Sequence, residues 1–261
     1  MGACSNPPYP RGSIDTLFPN GPKPALKHRS VDARELHWAE MAGPGATPIL
    51  FVHGSPGDWK AWASYLAAPE LAGYGPRLAV DRPGFGDSQT GMVVTDLRAQ
   101  ADQLAALLPA GRPAIVVGHS LGGPLVAWLA IDHPDKVCAA LMVAGSVASD
   151  LEAPRWYNQL ADTWLARRLA PVEMLWSNRE MLALAPELQR LEAAWPRLAR
   201  PLVAIQGGRD ELVDPRTVDK LEVQAPKAWV RIVRISGQGH FVLWQRPDLV
   251  LREITALPCP H

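Results

Sequence analysis

The chain has 261 residues, 48% hydrophobic and 20% charged, a balance that suits one large α/β domain with a sizeable core, or one domain carrying an insertion. Lysine plus arginine number 26 and aspartate plus glutamate number 26, so no basic field attracts phosphate backbones and nucleic-acid binding is not expected. No apolar run reaches the roughly 18 residues of a membrane-spanning helix, so no transmembrane segment is expected.

Residues 1–25 are rich in Pro, Gly and Asn and read as a loosely packed segment. Within it, Gly2-Ala3-Cys4-Ser5 resembles the end of a bacterial lipoprotein signal, in which the cysteine becomes the lipidated first residue. The hydrophobic part of such a signal is absent from this sequence. Two localisations stay open: cytoplasmic as the chain is given, or a lipoprotein anchored through Cys4. The three cysteines, Cys4, Cys138 and Cys259, suggest neither a disulfide framework nor a metal site, and Cys138 reads as core packing in an apolar run.

From Leu26 to Met41 the strand signals are weak, with Leu36, Trp38 and Met41 as inward positions, and Gly43-Pro44-Gly45 breaks the segment. Pro48 to Val52 reads as a buried strand ending at His53-Gly54-Ser55-Pro56-Gly57. Asp58 is placed to cap a helix that presents Trp59, Trp62 and Leu66 on one face. Leu78 to Val80 is the next strand, and the turn Asp81 to Ser88 after it reads as structural. A helix from about Thr95 carries Leu97, Ala101, Leu104 and Leu108 and stops at Pro109-Ala110-Gly111.

Ala114 to Val117 is a nearly unbroken apolar run, the mark of a strand buried on both faces. Gly118-His119-Ser120-Leu121-Gly122 follows it, and Leu125, Trp128 and Leu129 then recur at helical spacing as far as His133. A serine on such a strand-to-helix turn has its hydroxyl pushed out at the positive end of the helix, and the flanking glycines let the turn close. This is a nucleophile elbow. Val137 to Val143 forms another buried strand. Strands alternating with helices imply βαβ units and a mainly parallel sheet.

Between about Ser149 and Arg200 no strand is evident, only helical stretches with Trp156, Trp164, Trp176 and Trp195. Such an insertion reads as a lid over the carboxyl ends of the strands, its tryptophans either lining a substrate pocket or anchoring the lid. Leu202 to Ile205 resumes the sheet. Val230, Ile232 and Ile235, with Arg231 and Arg234 interleaved, suggest a half-exposed edge strand, and the closing helix starts near Pro247.

A serine hydroxyl needs an adjacent imidazole to take its proton, and the imidazole needs a carboxylate to fix its tautomer. Asp210 follows a buried strand and His240 follows the last one, both on the rim that carries Ser120. Glu211 is expected to point elsewhere, and Asp214 to start the next helix. His119 is expected to point away from the nucleophile across the turn. The oxyanion of a tetrahedral intermediate needs donors, assigned here to the backbone N–H groups of Leu121 and Ser55, with His53 bracing the loop.

Together these ordered elements resemble the α/β-hydrolases over roughly Leu26 to Ala256. The resemblance implies an eight-stranded, mostly parallel sheet flanked by helices, with a helical cap after the sixth strand. The core would then comprise residues 26–148 and 201–261 and the lid residues 149–200. It also implies a cofactor-free serine hydrolase; the residues assign catalysis to Ser120, Asp210 and His240, and the short Trp-rich lid suggests a small ester-like molecule with an apolar acyl or alcohol group. Ser120 separates the chain from haloalkane dehalogenases and epoxide hydrolases, which place aspartate there. The His-Gly-Ser-Pro-Gly loop is similar to that of proline iminopeptidases, whose elbow is Gly-Gly-Ser-Trp-Gly. Ester hydrolysis is therefore the expectation, with C–C bond hydrolysis, lactone opening or aminopeptidase action as relatives of the same fold. A non-catalytic ligand-binding protein is the rival from another class. Acyl-chain length and oligomeric state are not set by the sequence.

Overall fold

A computed structural model gives the fold and describes residues 9–88, 93–153, 158, 163 and 168–259. Eight strands form one sheet: β1 (Ala25–Val31), β2 (Arg34–Met41), β3 (Ile49–Val52), β4 (Arg77–Val80), β5 (Ala114–His119), β6 (Val137–Val143), β7 (Leu202–Gly207) and β8 (Val230–Ile235). Their order is β1-β2-β4-β3-β5-β6-β7-β8. The β1–β2 and β2–β4 pairs are antiparallel and every other pair is parallel. Asp32 and Ala33, at φ 49° and 60°, make the two-residue turn of the β1–β2 hairpin. β8 is an edge strand with exposed Arg231 and Arg234, as its interleaved arginines suggested.

Alternate residues of the central strands feed two cores, one on each face. After two one-turn helices, α1 (Ile14–Leu17) and α2 (Ala63–Leu66), come α3 (Leu97–Ala105) and α4 (Gly122–Asp132), and Leu50, Val52, Val116, Met142 and Ala204 pack beneath this last pair. Ile49, Phe51, Val117, Leu141 and Ile205 pack beneath the Trp59–Leu66 segment and a terminal amphipathic helix, Pro247–Thr255. This two-sided burial explains why the strands read as unbroken apolar runs. α4 is buried along nearly its whole length because α3 and the helix Val172–Ala194 pack against it as well as the sheet. Asp58 caps the Trp59–Trp62 turn and Asp96 caps α3, its carboxylate accepting from the Ala99 N–H at 2.8 Å. Leu108 is buried but lies past the end of α3.

Between β6 and β7 runs a segment whose described residues lie outside the sheet. Its described part is dominated by α5 (Val172–Ala194), which buries Glu180, Leu184, Leu188 and Leu191 along one face. Trp195 is fully buried and anchors the end of this segment, and Trp176 is half-buried under the Arg179 guanidinium. Trp156 and Trp164 lie outside the described residues, as does Cys4.

One expectation needs correction. Cys138 and Cys259 form a disulfide, with Cα atoms 5.8 Å apart. Their separation of 121 residues hides the pairing, which exists only because the C-terminal tail packs against β6. Residues 9–25 are largely exposed yet touch the core. Phe18 is buried in the core, and the Asp58 N–H donates to the Tyr9 hydroxyl at 2.7 Å. The same hydroxyl donates to the Asp58 carboxylate at 2.8 Å.

Candidate active site

β5 occupies the middle of the sheet, and Ser120 follows it at φ 53°, a left-handed conformation unfavourable for a residue with a side chain. Close packing holds it there. A Cβ on Gly118 would lie 2.0 Å from the Gly122 carbonyl oxygen, and one on Gly122 would lie 2.4 Å from the Val52 oxygen. Only glycine allows helix α4 to start so close to its strand. The Ser120 N–H donates to the Val143 carbonyl at 3.0 Å, and its own carbonyl accepts from the Gly123 N–H at 2.8 Å. The side chain is thereby aimed outward, and among the described residues its hydroxyl has no hydrogen-bond partner.

Asp210 lies past β7 and His240 past β8, at the same rim, and both are buried. The His240 Nδ1 and the Asp210 Oδ2 are 2.9 Å apart. The other carboxylate oxygen accepts from the N–H groups of Leu212 and Val213 at 2.9 Å each, and Gln206 donates to Oδ2 at 3.1 Å. Burial works to raise this carboxyl group. The hydrogen bond and charge of His240 and the two backbone donors outweigh it, leaving Asp210 below its ordinary range. Glu211 is exposed, and Asp214 accepts the Arg216 N–H just ahead of the helix Thr217–Gln224.

Ser120 and His240 both face a cavity of about 570 Å³ and an adjoining one of about 630 Å³; Ser55 and Leu212 are also shared by the two. The first is walled by Met174, Leu175, Met181 and Leu184 of α5, with buried Ser146, Ser177 and Asn178 among them. No tryptophan lines it among the described residues. The second is bounded by Tyr9 to Gly12 and by Phe241 and Trp244. The N–H groups of Leu121 and Ser55 have no acceptor among the described residues. That of Leu121 is one of the unpaired donors at the start of α4.

Sequence reasoning missed two neighbours of this rim. His119 does not stand clear of the site. Its ring lies 5.0 Å from that of His240, and its Nε2 hydrogen-bonds to the His240 backbone carbonyl at 3.1 Å. A carbonyl only accepts, so Nε2 carries the hydrogen. Burial, with the nearby His240 charge, pushes the His119 imidazole down to about 3, so it is neutral at pH 7.

The second neighbour is Arg82, in the turn assigned no chemistry. It is fully buried and pairs with Glu180 of α5 at 2.6 Å. Sequence pattern could have flagged Glu180, because it shares its helix face with Leu184, Leu188 and Leu191. His53 braces the adjoining loop as expected. Its Nε2 accepts from the Arg82 N–H at 3.0 Å, so Nδ1 bears the hydrogen and donates to the Gly54 carbonyl at 2.7 Å. Burial and the Arg82 charge push the His53 imidazole well below its ordinary range.

Among the described residues no His, Cys, Asp and Glu side chains group as a metal site, and no helix is long and apolar enough to cross a membrane. The sequence profile of the alpha/beta hydrolase family matches residues 49–253. Over 91% of its length the chain is 28% identical to the dihydrolipoyllysine-residue acetyltransferase component of the acetoin cleaving system of Pseudomonas putida, spanning 70% of that protein. Over 43% of its length it is 34% identical to a pimeloyl-acyl-carrier protein methyl ester esterase of Proteus mirabilis, spanning 41% of that protein. A monoacylglycerol lipase from Paleococcus ferrophilus has a similar fold, with TM-score 0.67 and 18% identity, over 85% of this chain and 98% of that one.

Proposed function

The chain belongs to the alpha/beta hydrolase family, and from that premise we propose that it is a serine hydrolase cleaving a carboxylic ester, or a related acyl bond, through an acyl-enzyme. The observation that carries this reading is the 2.9 Å contact of His240 with Asp210, beside a cavity faced by the hydroxyl of Ser120, which has no partner among the described residues. Asp210 holds the proton on Nδ1, which leaves the Nε2 lone pair to accept the Ser120 proton as Oγ attacks the carbonyl carbon. The oxyanion that forms accepts from the N–H groups of Leu121 and Ser55, and the start of α4 adds its positive end. His240 then returns the proton to the leaving alcohol. A water, deprotonated by the same imidazole, releases the acyl group.

The segment 149–200 acts in this reading as a lid, supported by the four apolar side chains α5 gives to the cavity wall. The wall mixes those with serine and asparagine side chains, which favours a small substrate that is not wholly hydrocarbon. The esterase named among the relatives supports the choice of an ester.

The test is labelling with a fluorophosphonate and burst kinetics with p-nitrophenyl esters. Wild-type protein is expected to form an adduct on Ser120, and Ser120→Ala to lose both adduct and burst. An undiminished rate in that variant removes the assignment, and no adduct on wild-type protein favours a binding protein on this fold.

A further inference from the structure

The Gly54 carbonyl and the Ser55 N–H belong to one peptide unit. In a planar trans peptide these two groups point in opposite directions, so whatever fixes one aims the other. The carbonyl accepts two hydrogen bonds on the buried side, from His53 Nδ1 at 2.7 Å and from Arg82 Nη2 at 3.0 Å. The N–H is therefore directed the other way and has no acceptor among the described residues, while Ser55 itself borders the cavity with Ser120.

Arg82 is itself held. Its two terminal nitrogens meet the two oxygens of Glu180 at 2.6 and 3.0 Å, a bidentate pair whose side chains have no exposed surface. Glu180 accepts two further donors, Gln100 Nε2 at 2.9 Å and the Ser55 hydroxyl at 2.5 Å. One carboxylate on α5 thus grips both ends of the problem: the guanidinium that pins the Gly54 carbonyl, and the side chain of the next residue.

We propose that Glu180 and Arg82 are positioning residues that lock the Gly54–Ser55 peptide with its N–H presented to the oxyanion, so that the docking of α5 sets whether the site can turn over. This deepens the hydrolase reading and rests on it. Without the lock the peptide can rotate, and the carbonyl, which repels an oxyanion, can take the place of the donor. A hydrophobic pair at the two positions could replace the packing but not the aim.

The test compares Glu180→Gln, Ser55→Ala and the double variant Arg82→Met with Glu180→Met against wild type, using steady-state hydrolysis of a p-nitrophenyl ester and thermal unfolding. Removing an oxyanion donor costs ~10²–10³ in rate, so an unlocked donor is expected to lower kcat at least about tenfold with KM changed less than about threefold. Ser55→Ala keeps the backbone N–H and loses only the tie to Glu180, so it reads the lock with little demand on folding. A double variant as stable as wild type but slow in kcat supports positioning over bulk stability. Wild-type kcat in Ser55→Ala and in folded Glu180→Gln overturns the lock while leaving the hydrolase reading intact. No esterase activity in wild-type protein overturns the hydrolase reading, and the lock with it.

Discussion

Asp210→Asn gives the sharpest test of the candidate triad, because the structure dictates how the new amide must sit. One carboxylate oxygen of Asp210 accepts from the Leu212 and Val213 N–H groups, at 2.9 Å each. An NH₂ group there would face two donors, so the amide oxygen takes that position and the NH₂ turns toward His240 Nδ1. Gln206 accommodates the change, since its own amide oxygen is buried without a partner among the described residues and can rotate to accept the new N–H. The imidazole then accepts at Nδ1 and carries its hydrogen on Nε2, the nitrogen that should take the Ser120 proton. The wrong tautomer costs ~10⁴ in the serine protease example, so a loss of ~10³–10⁴ in kcat is expected here, or about 4–5 kcal/mol in barrier height. Folding stability should change little. The assay is ester hydrolysis across pH, with ¹⁵N shifts of the imidazole to report the tautomer. Activity within tenfold of wild type, in a variant whose Nε2 carries the hydrogen, refutes the reasoning.

Glu180→Ala strands the Arg82 guanidinium in the interior and should cost about 3–5 kcal/mol in urea unfolding; a loss below about 1 kcal/mol would mean the pair is not desolvated. Cys259→Ser opens a covalent link across 121 residues and should lower stability by about 2–5 kcal/mol, and wild-type protein should show the same loss on reduction. Thermal midpoints that ignore both changes would show that the thiols are not joined. Stability should also rise with pH between about 4 and 6.5. The unfolded chain protonates the equivalents of His119 and His53 near 6.5, whereas burial holds both neutral in the fold, His119 down to about 3. Their contribution is therefore complete above 6.5 and lost as pH falls. Asp81 works in the opposite sense: burial raises it to about 7 from 3.8, so the fold keeps a proton that the unfolded chain gives up, and its contribution fades as pH rises through that window. Near pH 5 two imidazoles outweigh one carboxyl, giving a net slope of about 1.4 kcal/mol per pH unit, and a flat or inverted profile in urea titrations would contradict it.

What the sequence made legible is local. β3, β5, β6 and β7 read as apolar runs because both of their faces are covered, and the elbow reads because Gly118 is forced by Gly122, two residues past Ser120, although Gly122 is itself held by Val52 of the neighbouring strand. Asp210 and His240 could be placed because each follows a recognisable strand, and strand ends share a rim. The features that escaped are pairings between remote segments. Arg82 and Glu180 are 98 residues apart, and each looks like an ordinary charge until the fold hides both. Cys138 and Cys259 meet only after the tail has packed. The β1–β2 reversal was obscured for a different reason: Asp32-Ala33 lacks the glycine that normally marks a two-residue turn, yet both residues adopt positive φ.

The two ends of the described chain leave the body at different poles. Tyr9 is moored to Asp58 at the border of the second cavity, whereas Cys259 is stapled to Cys138 near the amino end of β6, the side of the sheet away from Ser120. A purification handle, fusion partner or bead attached ahead of Tyr9 would stand beside the cavity that Ser120 and His240 line. The same attachment after Cys259 would leave that cavity clear, which makes the carboxyl end the natural place to immobilise this protein for assay.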